Sequence, residues 1–194
     1  MSKIILSSCD FRNEQSAKAI YDNLPCPIDK CRVLYFPNEK ATEEAIKSDK
    51  FYNRLSCFGF VRENIYVFNY FAPVEFDENI EIDVIYISGG NTFGTMKRIR
   101  DAGADEIILK YISKGTAYIG GSAGAHIASR SIAHVKKYDI DTFGLSDFSG
   151  LNFFDGLLIC HYTQEREGDY VSLTNQGEKN VVRLRDEDYI IVER

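Results

Sequence analysis

The sequence predicts an α/β fold built on a parallel sheet with helices on both faces. Two observations carry that prediction. Short apolar, β-prone runs recur at residues 3–9, 31–36, 64–71, 83–88 and 116–119, and amphipathic or small-residue helical patterns lie between most of them. A parallel pair of strands needs a crossover, and a helix is the usual one, so strands alternating with helices for the first 130 residues read as βαβ units.

Each element has its own signal. Residues 3–9 (KIILSSC) form an apolar run that ends in small residues, a buried strand entering a loop. Asn13 caps a helix that runs to Leu24, with Ala17, Ile20, Tyr21 and Leu24 on one face, and Pro25 and Pro27 stop it. Residues 31–36 (CRVLYF) give a second strand. A helix is predicted over 42–58, with Gly59 as its C-cap. Residues 64–71 (NIYVFNYF) are strongly β-prone, and 72–82 form an acidic connector. Residues 83–88 (DVIYIS) make another buried strand, followed by Gly89-Gly90-Asn91 and a helix through Ile99 that Gly103 ends. Residues 104–113 are helical and feed the strand 116–119.

After Arg130 the alternation stops. Residues 131–150 are irregular, 157–160 (LLIC) are a short apolar run ending on His161-Tyr162, and 163–180 are polar without a clear period. Residues 181–192 read as two short strands joined at Asp186-Glu187-Asp188.

Bulk composition bounds the function. The chain has 194 residues, 44% of them hydrophobic and 27% charged, which predicts one domain spanning residues 1–194 with a substantial core. A net charge of −6 with scattered cations argues against a nucleic-acid partner. No apolar run has the length of an export signal or a membrane span, so a cytoplasmic protein without membrane contact is expected. Five cysteines, an odd number without CxxC spacing, predict free thiols rather than a disulfide framework. No His/Asp/Glu cluster has recognisable metal spacing, so no metal is expected.

The chemistry centres on residues 114–130, KGTAYIGGSAGAHIASR. Gly120-x-Ser122-x-Gly124 fits a nucleophile elbow, a sharp strand-to-helix turn that lifts a serine oxygen clear of the sheet. A side chain at Gly120 or Gly124 would collide where helix and strand converge. The same pattern also suits an ordinary glycine-rich turn with a serine N-cap. A serine nucleophile needs a base, and three histidines are available. His161 follows an apolar run and so sits at a strand end. His126 lies one helical turn after Ser122 but is poorly aimed back at it, and His134 falls in the irregular stretch. A third group should orient the imidazole, and Asp139, Asp141, Asp147, Asp155, Asp186 and Glu187 all qualify by position. The Gly89-Gly90 loop offers a backbone N–H to a developing oxyanion, as partner to the N–H of Ala123.

Taken together, VIYISGGNTF, AYIGGSAGAHIA and LLICHYT, in that order and at these spacings, resemble the aspartyl dipeptidase (peptidase E) family of serine peptidases, with cyanophycinase a more distant relative. The resemblance covers most of the chain. It implies a three-layer α/β/α sandwich with a mostly parallel sheet, similar to class I glutamine amidotransferase domains. It implies Ser122 as nucleophile, His161 as base, and an oxyanion hole from Gly90 and Ala123. The family's acid lies near the C-terminus, in a segment that LRDEDYIIV resembles; an ungapped match selects Asp186 and a one-residue shift selects Glu187. The implied activity is a cofactor-free serine exopeptidase acting on short peptides, with N-terminal aspartate as one possible specificity, in a monomer or weak homodimer. A cyanophycinase-like β-aspartyl peptidase or esterase shares the same site, and a silent peptide-binding member is the non-enzymatic alternative. Asn91, Gly121 and Arg166 are expected around the substrate, with Arg130 and Arg98 as further cations for an acidic side chain. Gly121 stands where the well-studied type has a bulky aromatic, and Cys160 where a proline often precedes the histidine.

Overall fold

In the computed structural model, which describes residues Met1–Arg194, the strands are β1 (Lys3–Ser7), β2 (Val33–Phe36), β3 (Ile65–Val67), β4 (Val84–Ile87), β5 (Ala117–Gly121), β6 (Leu157–Ile159), β7 (Val181–Arg183) and β8 (Tyr189–Glu193). Six of them form one sheet in the order β3-β2-β4-β5-β1-β8. All neighbours in it are parallel except β8, which runs antiparallel to β1. β6 and β7 form a separate parallel pair.

The sheet separates two apolar layers, and strand alternation decides which residue enters which. Ile4, Leu6, Leu34, Phe36, Ile85, Ile87 and Tyr118 face one layer. There they meet α4 (Thr92–Asp101), α5 (Ala104–Ser113) and α6 (Ala123–Ala128) through Phe93, Met96, Ile108, Ile112 and Ile127. Ile5, Val33, Tyr35, Val84, Tyr86 and Ile119 face the other. They meet α1 (Glu14–Asn23), α2 (Glu43–Lys47) and α3 (Lys50–Ser56) through Ile20, Ile46, Phe51 and Leu55. Both faces of the central strands are therefore buried, as in other sheets of this class.

Several elements depart from the sequence prediction for identifiable reasons. The helix predicted over 42–58 is two helices. Ser48 is extended (φ −89°, ψ 174°), and its hydroxyl donates to the Ala45 carbonyl at 2.9 Å, a local bond that competes with helix continuation. The strand predicted over 64–71 pairs only through Val67; the Phe68 N–H reaches the Tyr35 carbonyl, and then the Asn69 side chain closes a turn onto the Phe71 N–H. On α1 the buried residues are Ser16, Ala19 and Ile20. Tyr21 is exposed, with its hydroxyl on the Phe58 carbonyl. The polar stretch 163–180 contains a helix, α7 (Glu167–Asn175), which buries only Leu173 and so lacks an apolar period to read.

Because β1, β2, β4 and β5 are parallel, their C-terminal ends lie along one edge of the sheet. The loops at residues 8–12, 38–39, 89–91 and 122 gather there, the usual ligand position in an open α/β sheet.

Candidate active site

Ser122 sits between β5 and α6 with φ 50° and ψ −106°, a backbone conformation that costs a non-glycine residue on the order of 1–3 kcal/mol. Its N–H is anchored to the Ser7 carbonyl of β1 at 2.9 Å. The flanking glycines are required by contact. A Cβ on Gly120 would lie 2.7 Å from the Gly124 carbonyl oxygen, and one on Gly124 would lie 2.0 Å from that of Ile87.

His161 also has positive φ (52°) and lies two positions beyond the end of β6. Its N–H donates to Ser8 Oγ at 2.9 Å, and Ser8 Oγ donates to the Leu184 carbonyl at 3.0 Å. That chain of bonds ties the β6 end to β1 and to the segment between β7 and β8. β7 pairs with β6 and β8 with β1, so the turn joining them carries Asp186 across to the imidazole. Ser122 Oγ lies 3.0 Å from His161 Nε2, and Asp186 Oδ1 lies 2.6 Å from Nδ1. The His161 hydrogen bond holds the Asp186 carboxyl below its ordinary value. Asp186, not Glu187, is the acid at the imidazole.

The N–H groups of Gly90 and Ala123 donate to no other group of the protein. Asn38 Nδ2 donates to the Gly89 carbonyl at 3.0 Å. A trans peptide points its N–H opposite its C=O, so this bond turns the Gly90 N–H away from Asn38. Glu39 Oε2 fixes the next turn, accepting from the Asn91 N–H at 2.9 Å and the Thr95 hydroxyl at 3.2 Å.

Behind the elbow lies a group that the motifs do not indicate. Asp10 is fully buried with φ 47°, and its Oδ2 accepts from Tyr86 at 2.9 Å. Its Oδ1 accepts from Arg12 Nε at 3.0 Å. Arg12 Nε also donates to the Cys9 carbonyl, whereas the terminal guanidinium nitrogens donate to no protein group, and the side chain is 49% exposed. The space where a Gly89 side chain would begin is bounded by Arg12 Nη2 at 3.2 Å and by Ser122 Cβ at 3.4 Å. Arg12 therefore borders the same space as the serine.

The other predicted residues have different duties. His126 is buried, with Nδ1 3.3 Å from the Thr92 hydroxyl and Nε2 accepting the Cys160 N–H at 3.4 Å. It does not reach Ser122. Burial pushes it well below its ordinary pKa, and the neighbouring charges of His134, His161 and Arg166 push the same way. His134 Nε2 bonds the Leu158 carbonyl. Asn91 caps α4, accepting from the Gly94 N–H, and donates to the Ile140 carbonyl, so its amide is occupied by the fold rather than open to substrate. Gly121 is buried against Asp10. Of the three nominated cations only Arg130 is paired with carboxylates; Arg166 and Arg98 each spend one terminal nitrogen on a backbone carbonyl. Arg166 donates to the Cys160 carbonyl at 2.5 Å and stacks on Tyr138; Arg130 pairs with Glu178 and Asp155; Arg98 donates to the Ala41 carbonyl under Tyr70 and Phe71. Asn38, Glu39, Asp10 and Arg12 escaped the motif reading. The strand-end rule would have found them, had it been applied to the loops after β1 and β2 as well.

Residues 4–194 match the model of peptidase family S51. The chain belongs to this family. Among sequence relatives, an uncharacterized peptidase of Listeria innocua is 34% identical over 121 residues, which is 56% of this chain and 58% of that protein. Peptidase E of Escherichia coli is 33% identical over 115 residues, 59% of this chain and 46% of that protein. The chain thus spans about half the length of the curated relatives it matches. A crystal structure described as a putative peptidase E from Listeria monocytogenes has a similar fold, with a TM-score of 0.69 and 24% identity over 99% of this chain and 94% of that one. A peptidase from an acI-B1 actinobacterium gives a TM-score of 0.60 at 15% identity, over 99% of this chain and 83% of that one. No helix of this S51 family member is long and apolar enough to cross a membrane.

Proposed function

We propose that this S51 family member is a serine-type exopeptidase that hydrolyses short peptides through an acyl-enzyme at Ser122. The observation that carries the reading is the placement of His161 between Ser122 Oγ and Asp186 Oδ1, one ring nitrogen for each. In this mechanism His161 Nε2 takes the hydroxyl proton as Ser122 attacks the peptide carbonyl. Asp186 accepts from Nδ1, which fixes the tautomer and stabilises the imidazolium. The free N–H groups of Gly90 and Ala123 receive the oxyanion, a term worth roughly 3–4 kcal/mol per donor in comparable sites. His161 then protonates the leaving amine, and water, deprotonated by the same nitrogen, releases the acid and restores Ser122.

We further assign the substrate cation to Arg12. Its terminal nitrogens are unused and Nη2 borders the same space as Ser122 Cβ, while Arg130 is paired with carboxylates and Arg98 and Arg166 each bond a backbone carbonyl. Such a guanidinium suits a substrate carboxylate, and an N-terminal aspartyl residue supplies one.

A fluorophosphonate probe tests the nucleophile. Labelling is expected on Ser122 in the wild type and absent from Ser122→Ala, with strong loss in His161→Ala. An unlabelled wild type refutes the serine mechanism. A panel of Asp-Xaa, Glu-Xaa and neutral dipeptides then tests specificity, and turnover of neutral dipeptides alone overturns the aspartyl assignment.

A further inference from the structure

Cys9 is placed beside the triad without a part in the mechanism. Its Sγ, a ring nitrogen of His161 and a carboxylate oxygen of Asp186 all lie within 4.8 Å of one another. Cys9 and His161 are half-buried and Asp186 is exposed, so the cluster opens to solvent. The three come from the loop after β1, the end of β6 and the turn between β7 and β8, so three separate segments converge on one point. One thiol, one imidazole and one carboxylate form the donor set that zinc favours, with sulfur about 2.3 Å and nitrogen about 2.0–2.1 Å from the ion. In a tetrahedron with those lengths two ligand atoms are roughly 3.4–3.6 Å apart, inside the 4.8 Å that bounds this cluster.

We propose that Cys9, His161 and Asp186 form a binding site for a zinc-class divalent cation, and that its occupation switches the catalytic serine off. The inhibitory half of this inference rests on the serine-peptidase reading; the binding half does not. On binding, the Cys9 thiol loses its proton to solvent and a zinc–thiolate bond forms. His161 contributes a lone pair, Asp186 an oxygen, and a water completes the tetrahedron. Inhibition does not depend on which imidazole nitrogen is used. A metal on Nε2 removes the lone pair that takes the Ser122 proton, and a metal on Nδ1 removes the hydrogen bond to Asp186.

The test is zinc binding to the full chain, measured by calorimetry and by protection of Cys9 from maleimide, read on the Cys9 peptide by mass spectrometry. Reading that peptide matters because the chain holds four other free thiols, among them Cys26 and Cys31 with sulfurs 3.1 Å apart. Zinc is expected to protect Cys9 in the wild type and equally in Ser122→Ala, since the serine is not a ligand. Cys9→Ser, Cys9→Ala and Asp186→Asn should each bind more than about tenfold more weakly. Zinc should also abolish fluorophosphonate labelling of Ser122, with recovery on adding chelator, and the ratio of labelling without and with zinc should collapse toward one in both Cys9 variants. A wild type whose Cys9 alkylates equally fast with and without zinc overturns the site. Undiminished zinc inhibition in both Cys9 variants overturns the switch. A protein that binds zinc through Cys9 yet is never labelled leaves the site standing and refutes the peptidase reading instead.

Discussion

The Asp10 carboxylate occupies the space in which a Gly121 side chain would start. A Cβ at Gly121 would lie 2.4 Å from Asp10 Oδ2 and 2.7 Å from Asp10 Cβ, far inside normal contact. Asp10 has no freedom to yield, because Tyr86, Arg12 and the Ser7 hydroxyl all hold it. Gly121→Ala should therefore destabilise the protein by about 1–3 kcal/mol, the usual range for overpacking, and reduce Ser122 labelling by displacing the elbow. Thermal or urea unfolding measures the first effect. Asp10→Gly in the same chain removes the obstruction and suits the positive φ, so the double variant should recover part of the loss. Strict additivity of the two changes would contradict the contact.

Asn38 should matter to catalysis without touching substrate. Its bond to the Gly89 carbonyl fixes the peptide whose N–H belongs to Gly90. Asn38→Ala frees that peptide to rotate. The expected outcome is a fall in kcat of about tenfold to a hundredfold with KM nearly unchanged, because the oxyanion contact strengthens only in the transition state. A change confined to KM would mean that Asn38 acts on binding instead.

The sheet and the serine elbow were legible in the sequence because both write themselves locally. Apolar runs such as VIYIS and AYIG, each followed by glycine, locate strand ends, and Gly120 and Gly124 are demanded by contacts within a few residues or with the adjacent strand. His161 was legible as a strand end. The acid was not fixed by local chemistry, since its position depends on β7 joining β6 while β8 joins β1, a long-range pairing that no spacing encodes. The resemblance narrowed the choice to Asp186 or Glu187, and the turn geometry selects Asp186. Charge alone nominates Arg166, Arg130 and Arg98; in the fold Arg130 is paired with Glu178 and Asp155, and the other two pack on aromatic rings with one nitrogen each on a carbonyl. Arg12 and Asn38 acquire their places only when parallel strands bring the loops after β1 and β2 to the serine.

Stability should fall in mild acid because of two histidines, His126 buried and His134 half-buried. His126 packs between Thr92 and the Cys160 N–H, faces His134, and has the charges of His161 and Arg166 nearby; burial lowers both His126 and His134 below the ordinary 6.5. In the unfolded chain each takes a proton near pH 6.5, whereas in the folded chain each stays neutral. The unfolded state then binds more protons, so folding stability is full above pH 6.5 and declines as pH drops from there toward the lower folded values. Urea midpoints measured between pH 8 and pH 5, on the order of the window that linkage defines, should show this decline. His126→Gln should be less stable at pH 8 but show a shallower decline. An equal slope in the variant would remove His126 from the account.

Arg12 gives the sharpest test of substrate choice. Its Nε is committed to Asp10 and the Cys9 carbonyl, and its Nη2 borders the space beside Ser122. Two roles are therefore separable. Arg12→Lys keeps a cation but loses the forked geometry, while Arg12→Gln keeps a hydrogen-bond donor and loses the charge. If Arg12 receives a substrate carboxylate, kcat/KM for Asp-Xaa dipeptides should fall by about tenfold to a hundredfold in Arg12→Gln and less in Arg12→Lys, consistent with about 1.5–3 kcal/mol for a hydrogen bond to a charged group. Neutral dipeptides should be affected far less, so the Asp-to-neutral preference shrinks. If Arg12 serves only to hold Asp10, both substrate classes should lose activity in parallel, with a matching drop in thermal stability. The ratio of the two kcat/KM values, measured beside the melting temperature of each variant, separates these outcomes.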